Sequence, residues 1–167
     1  MPQVFVDDVL GESGNVRLRR QIRSDGASLR MEGAADGAEI QVFEGVNYEE
    51  ALVQFRTVIG ERIEANDALI GQLRATVKDP PLDYWTEGIM QYPRLVETPE
   101  YVVATSNPKN GEPSVQIRRY NQIHHDSGKS TDYAKAVDKA IVYFQRMKQE
   151  NVELLEISQP KDTPEGG

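Results

Sequence analysis

One long helical stripe constrains the fold of this chain more than any other feature of its sequence. Eight apolar or aromatic residues and one asparagine recur at steps of three or four: Tyr48, Leu52, Phe55, Ile59, Ile63, Asn66, Ile70, Leu73 and Val77. Because residues at these spacings share one face of an α-helix, the pattern predicts a single long helix. Its eight steps cover 29 positions, and the resulting period of about 3.6 residues is that of a straight helix rather than a coiled coil.

Both ends of this helix carry recognisable signals. Asn47 is a favourable N-cap residue, and Glu50 lies three positions later, as in a capping box. Pro80 and Pro81 obstruct helical geometry at the other end. We therefore predict a helix over about residues 47–79.

The length of the helix suggests a partner. A helix of about 30 residues is roughly 45 Å long, which is more than one small core covers. We expect part of the stripe to pack on a sheet of this chain and the rest to meet another element or subunit. Asn66 lies in the middle of the stripe, where a buried amide needs a partner, so we predict that it fixes the register or pairing of that contact.

Alternating apolar and polar residues predict strands on both sides of the helix. Residues 15–44 contain two turn sequences, at 24–26 and 35–37, and predict a three-stranded antiparallel meander. Residues 101–104 and 115–120 flank a turn rich in asparagine, proline and glycine, which predicts a later hairpin.

A second helix is predicted over about residues 131–150, with Ser130 or Thr131 as its cap and one apolar face. The short apolar run at 152–157 predicts a last strand. These elements define an α+β fold, in which an antiparallel sheet, made of the meander and the hairpin, is covered by the long helix and the second helix.

Length and composition favour one acidic domain. The 167 residues carry a net charge of −8 and contain no cysteine. We expect a single α+β domain over residues 1–157 and a flexible or partner-pinned tail over 158–167, where the composition is typical of disorder. The negative charge disfavours nucleic acid and anionic membranes as partners. The absence of cysteine excludes disulfides, thiolate metal sites and cysteine nucleophiles.

The sequence predicts a cytoplasmic protein. It contains no apolar run of about 18 residues, and its first residues lack the basic and apolar regions of a signal peptide. We therefore expect neither a membrane span nor a signal peptide.

One cluster invites a metal hypothesis. His124, His125 and Asp126 are residue types that bind zinc, iron or manganese. Adjacent residues of a strand point to opposite faces, however, so a shared ion would need an irregular loop and an outside carboxylate. We predict no metal site, no cofactor and no catalytic residues, and keep a small metal-dependent enzyme as the alternative.

Two further patterns resemble functional motifs. The sequence from Gly128 to Thr131 is like the end of a phosphate-binding loop, but Ile123 stands where that motif requires glycine, so we interpret Gly128 as a turn residue. The arginine-rich strand, defined by Arg17, Arg19, Arg20 and Arg23, is compatible with a nucleic-acid module. The competing interpretation is a solvated strand whose arginines meet carboxylates of this acidic chain or of a neighbouring subunit.

An aromatic segment is the strongest candidate for recognition. Residues 82–100 are irregular and contain Tyr84, Trp85, Met90 and Tyr92, and such side chains concentrate binding energy at protein interfaces. The alternative is that these side chains cover an open edge of the protein's own core.

We therefore predict a structural or assembly protein, a subunit of a virion or of a cytoplasmic multiprotein complex, rather than an enzyme. Its partners would be other proteins or further copies of itself, and no small-molecule substrate is evident. The predicted interaction residues are Asn66, Tyr84, Trp85, Met90 and Tyr92.

Overall fold

The computed structural model describes residues 2–159. In this part of the chain, ten strands and two helices follow one another: β1 (Val4–Ser13), β2 (Val16–Arg23), β3 (Gly26–Gly33), β4 (Glu39–Gly45), α1 (Tyr48–Thr76), β5 (Tyr84–Thr86), β6 (Ile89–Gln91), β7 (Arg94–Glu97), β8 (Tyr101–Ser106), β9 (Ser114–Arg119), β10 (Gln122–Asp126) and α2 (Tyr133–Ser158). The predicted α+β class is confirmed. Most of the predicted tail, residues 160–167, lies outside the described residues.

The chain divides into two compact units. The first unit contains the residues up to Glu64 and those from Lys148 onward, and the second unit contains Ala65–Met147. In each unit a four-stranded antiparallel meander precedes a helix, with strand order β1-β2-β3-β4 in the first and β10-β9-β8-β7 in the second. The same arrangement, four strands followed by a helix, thus occurs twice along the sequence.

The sheet of the first unit has one strand more than the three-stranded meander predicted from the sequence. β1 pairs antiparallel with β2 over most of its length. The acidic residues of β1 interrupt its apolar pattern, and two of them lie beside arginines, as Asp7 forms an ion pair with Arg19 and Asp8 with Arg20. Ion pairs between β1 and β2 therefore support the pairing of these strands, although the apolar alternation of β1 is weak.

The core of the first unit lies between its sheet and parts of both helices. Phe43 of β4 and Phe55 of α1 pack edge to face, with ring centroids 5.4 Å apart. Around them lie the buried side chains of Leu18, Leu29, Met31, Leu52, Ile59 and Leu154.

The core of the second unit is built in the same way. Phe144 of α2 and Tyr101 of β8 pack edge to face at 5.2 Å. The inward residues of β8 and β9 and one face of each helix complete this core, which includes Leu69, Ile70, Leu73, Val103, Val115, Ile117, Val137 and Ile141.

The long helix α1 begins where the sequence predicts. Asn47 is its N-cap, because the Glu50 amide donates a hydrogen bond to Asn47 Oδ1 at 2.9 Å. The helix ends at Thr76, shortly before the two prolines. Its stripe is buried or partly buried throughout, in the first core up to Ile63 and in the second core from Ile70 onward. We expected the rest of the stripe to meet another element or subunit, and the structure shows the first of these alternatives, because the second core of the same chain covers it.

Helix α2 differs from the prediction at both ends. Asp132, rather than Ser130 or Thr131, caps it, since the Lys135 amide donates to Asp132 Oδ1 at 2.8 Å. The helix continues to Ser158, so the predicted strand at 152–157 is wrong. Short apolar runs do not distinguish strand from helix by periodicity, and here Leu154 packs into the first core as part of the helix.

Candidate functional site

The aromatic segment forms a small exposed hairpin. β5 and β6 pair antiparallel, with Trp85 opposite Met90. The two residues between the strands, Glu87 and Gly88, both have positive φ angles, 53° and 75°, as expected of a type I′ turn. We call residues 84–92 the aromatic hairpin.

Large apolar side chains of the aromatic hairpin face solvent. The exposed fraction is 67% for Trp85, 62% for Ile89, 56% for Tyr92 and 54% for Tyr84. These values disfavour the interpretation that Trp85 and the tyrosines cover the chain's own core. Ile89 belongs to the same surface, although it is not among the interaction residues predicted from the sequence.

Hydrogen bonds fix both ends of the hairpin to β8 and the residue that follows it. Asp83 and Asn107 exchange bonds: the Asp83 amide donates to the Asn107 carbonyl at 3.1 Å, and the Asn107 amide donates to Asp83 Oδ1 at 2.8 Å. Asn107 Nδ2 also donates to the Pro81 carbonyl at 2.8 Å. Beyond the hairpin, the Thr105 amide donates to the Pro93 carbonyl at 2.9 Å. The hairpin is therefore held at its base while its side chains remain exposed.

Asp83→Ala is expected to loosen the aromatic hairpin and to lower stability by about 1–3 kcal/mol, because it leaves the Asn107 amide without its acceptor. Hydrogen exchange measured by mass spectrometry should become faster in peptides covering residues 84–92. Asp79→Ala is the matched control, since the exposed Asp79 carboxylate lies outside this anchor. Equal exchange in both variants would contradict the anchoring role.

The outer face of the second sheet forms a groove beside the hairpin. Along β8 the buried residues Tyr101, Val103 and Thr105 alternate with outward ones. The outward residues pair across the sheet, with Val102 opposite Arg118 and Ala104 opposite Gln116. Small side chains thus lie between longer ones, and the cleft has a volume of about 490 Å³. We call it the sheet groove, and it is lined by Met90, Gln91, Tyr92, Arg94, Val102, Ala104, Thr105, Ser106, Ser114, Gln116, Arg118 and Asp126.

The charged side chains of the sheet groove differ in their partners. Arg94 forms an ion pair with Glu97. Asp126 accepts hydrogen bonds from the Gly128 amide at 2.9 Å and from the Gln116 side-chain amide at 3.5 Å. Arg118 Nε donates to Gln116 Oε1 at 2.9 Å. A positive group thus lies in the groove with a neutral amide beside it.

The histidine cluster diverges in the structure. His125 lies opposite the buried Ile117 and packs against the ring of Tyr143 at 5.4 Å, whereas Asp126 lies opposite Gln116 in the sheet groove. His124 is exposed at an irregularity of β10. Among the described residues, no three His, Cys, Asp or Glu side chains are grouped so that they can hold a metal ion.

Burial gives His125 a distinct electrostatic environment. Desolvation lowers the pKa of its imidazole, the Asp126 carboxylate opposes this effect, and Arg146 adds to it. Within the described chain its Nε2 atom is buried and lacks a hydrogen-bond partner.

His125→Phe is expected to weaken the loss of stability on acidification. A lowered pKa means that the unfolded state takes up the proton first, so the folded state loses stability as the pH falls below about 6.5. Urea unfolding midpoints at pH 7.5 and pH 5.5 should lie closer together in the variant than in the wild type. The exposed His124 provides the control variant His124→Gln, which should retain the wild-type difference. Parallel behaviour of both variants would refute this role of His125.

The segment from Gly128 to Thr131, which resembles the end of a phosphate-binding loop, begins with a turn. Gly128 has a positive φ angle of 67°, and its amide is bound by Asp126. The Ser130 amide donates to the Pro113 carbonyl at 2.8 Å. Two backbone amides that would face a phosphate are therefore already used within the protein, which supports interpreting Gly128 as a turn residue.

The arginine-rich strand is β2, and its charges are paired within the chain. Hydrogen bonds from Arg19 and Arg20 lower the pKa values of the Asp7 and Asp8 carboxyls. This arrangement favours the interpretation of a solvated, ion-paired strand over that of a nucleic-acid surface. The pairs are Arg17–Glu12 at 3.6 Å, Arg19–Asp7 at 2.9 Å, Arg20–Asp8 at 2.7 Å and Arg23–Asp25 at 2.9 Å.

The structure separates Asn66 from the other predicted interaction residues. Asn66 is buried, with 4% of its surface exposed, so it is not on a surface with the aromatic hairpin. Tyr84, Trp85, Met90 and Tyr92 lie together in the hairpin, and Met90 and Tyr92 also line the sheet groove.

Comparison with known proteins gives no further assignment. Protein-family models, curated proteins and solved structures were searched, and none matches this chain. Neither helix has, within the described chain, a segment long and apolar enough to cross a membrane.

Proposed function

We propose that this chain is a structural subunit that assembles with other proteins, in a virion or in a cytoplasmic multiprotein complex. The observation that carries the proposal is the aromatic hairpin, where Trp85 and Ile89 are each more than three-fifths exposed. Clustered exposed apolar side chains mark interaction surfaces, and tryptophan and tyrosine are prominent among the residues that dominate binding energy.

The anchoring of the hairpin at its base supports this proposal. A segment held at both ends by hydrogen bonds to the end of β8 loses little conformational entropy when it binds. A larger share of the contact energy then contributes to affinity. Exposed aromatic side chains on an ordered support are typical of a surface that binds another protein.

Site-specific photo-crosslinking tests the proposal in cells of the natural source. A photoreactive phenylalanine analogue replaces Tyr84 or Ile89 in the hairpin, and in a control variant it replaces Val142, which is 51% exposed on α2. We expect a discrete crosslinked protein from the hairpin positions and none from Val142. A monomeric mass by light scattering at all concentrations, together with no crosslink at either hairpin position, would overturn the proposal.

A further inference from the structure

The sheet groove has the shape of a site for an extended peptide. Its floor follows β8, where the outward residues Val102, Ala104 and Ser106 are short. The hairpin residues Met90 and Tyr92 line the cleft along with the longer side chains of β9. From Val102 to Ser106 the floor is about 13 Å long, which corresponds to four or five residues of extended chain.

The charges of the groove favour an acidic occupant. Arg118 lies outward on β9 and is exposed, and among the described residues no carboxylate lies within ion-pair distance of it, unlike its neighbour Arg119, which is paired with Glu100. The Asp126 carboxylate accepts bonds from Gly128 and Gln116. Arg118 is therefore the groove's available cation, and a guanidinium binds a carboxylate through two parallel hydrogen bonds.

We propose that the sheet groove binds an extended acidic segment of the partner protein. One carboxylate of that segment pairs with Arg118, and neighbouring apolar side chains pack against Met90 and Tyr92. This inference rests on the proposed assembly function, and it adds the chemistry of the partner. Charge complementarity carries it: the chain as a whole has a net charge of −8, while Arg118 in this groove has no carboxylate within ion-pair distance among the described residues.

Tryptophan fluorescence provides the measurement. Trp85 is the only tryptophan in the chain, and it lies opposite Met90 in the hairpin, so an occupant of the groove should change its emission. The probes are two blocked nonapeptides that alternate leucine with either glutamate or lysine. We expect the glutamate peptide to bind at least about tenfold more tightly than the lysine peptide, with affinity falling as salt is raised.

Variants of Arg118 decide whether the guanidinium is responsible. Arg118→Gln should weaken binding of the glutamate peptide about tenfold or more, and Arg118→Lys should weaken it less, because lysine keeps the charge but not the paired hydrogen bonds. Arg74→Gln, at an exposed position of α1, is the matched control and should bind as the wild type does. Circular dichroism verifies that each variant is folded.

Several results would overturn the inference. These are the absence of glutamate-peptide binding at millimolar concentration, equal affinity for both peptides, and unchanged affinity in Arg118→Gln. A concentration-dependent mass at low salt that Arg118→Gln abolishes would identify a second copy as the occupant and overturn the assignment to a partner protein. The two proposals can fail separately. If any of the three peptide results is obtained but the hairpin crosslinks persist in Arg118→Gln, the acidic-segment inference is rejected and the assembly function remains supported.

Discussion

Phe55→Ala is expected to lower the free energy of unfolding by about 3–5 kcal/mol, because the lost aromatic ring leaves a cavity in a closely packed core. The Phe55 side chain is fully buried, and its ring packs edge to face against Phe43. Urea unfolding followed by far-ultraviolet circular dichroism measures the change. With marginal stability typical of a domain, this variant would lose a large part of its folded population.

The same helix supplies the control. Val53 lies two residues before Phe55 and is 63% exposed, so Val53→Ala should change stability by no more than about 0.5 kcal/mol. A loss below about 1 kcal/mol in Phe55→Ala would show that this core is less closely packed around the ring than the structure indicates.

The Phe55 variant also tests the expectation of a single domain. α1 contributes Phe55 to the first core and Leu73 to the second, so loss of helical order in one core should weaken the other. Native-state hydrogen exchange of the buried β8 amides should then accelerate in Phe55→Ala, although β8 lies in the second unit. Unchanged exchange in β8 would show that the two units unfold independently.

The sequence was sufficient to predict α1 because its signals agree. The cap at Asn47, the apolar stripe and the prolines at 80 and 81 all favour the same helix. The structure confirms that this segment is helical and that the helix lies where it was predicted. The elements that cover the stripe could not be predicted in the same way. Burial depends on which distant strands fold against the helix, and a stripe has the same pattern whether its cover belongs to the same chain or to another.

Non-local contacts also explain the missed elements. The alternation of β1 is interrupted by Asp7 and Asp8, whose cross-strand arginine partners follow only after a turn. The helical state of residues 152–157 is stabilised by packing of Leu154 into a core formed mainly by residues 18–59. Local propensity alone does not contain these long-range terms.

The candidate site was predicted in part. Aromatic composition identified the hairpin, and its turn residues Glu87 and Gly88 were not recognised as a type I′ connection, because glutamate rarely adopts a positive φ angle. The sheet groove was missed, although the alternation of Val102 and Ala104 with buried residues follows from the hairpin strand predicted over residues 101–104. To predict the groove, one must also know that residues 90–92 lie beside that strand in the folded chain.

Trp85→Ala is expected to weaken binding of the partner protein by about 2–4 kcal/mol, or roughly 30-fold to several hundred-fold in affinity. The reason is the size and exposure of the indole, which is 67% accessible in the free protein and would be desolvated in an interface. Isothermal titration calorimetry with the partner identified by photo-crosslinking measures the change. Because so much of the side chain is exposed, the variant should lose at most about 0.5 kcal/mol of stability.

Separating affinity from stability makes this prediction decisive. Val142→Ala, at a similarly exposed position of α2, should change neither quantity, and Trp85→Phe should recover part of the affinity because it restores an aromatic surface. If Trp85→Ala instead lost about 2 kcal/mol of stability and kept full affinity, the indole would serve the hairpin's own packing, and the interface would lie elsewhere. Loss of affinity with unchanged unfolding would assign the contribution of the indole to partner binding rather than to the stability of the fold.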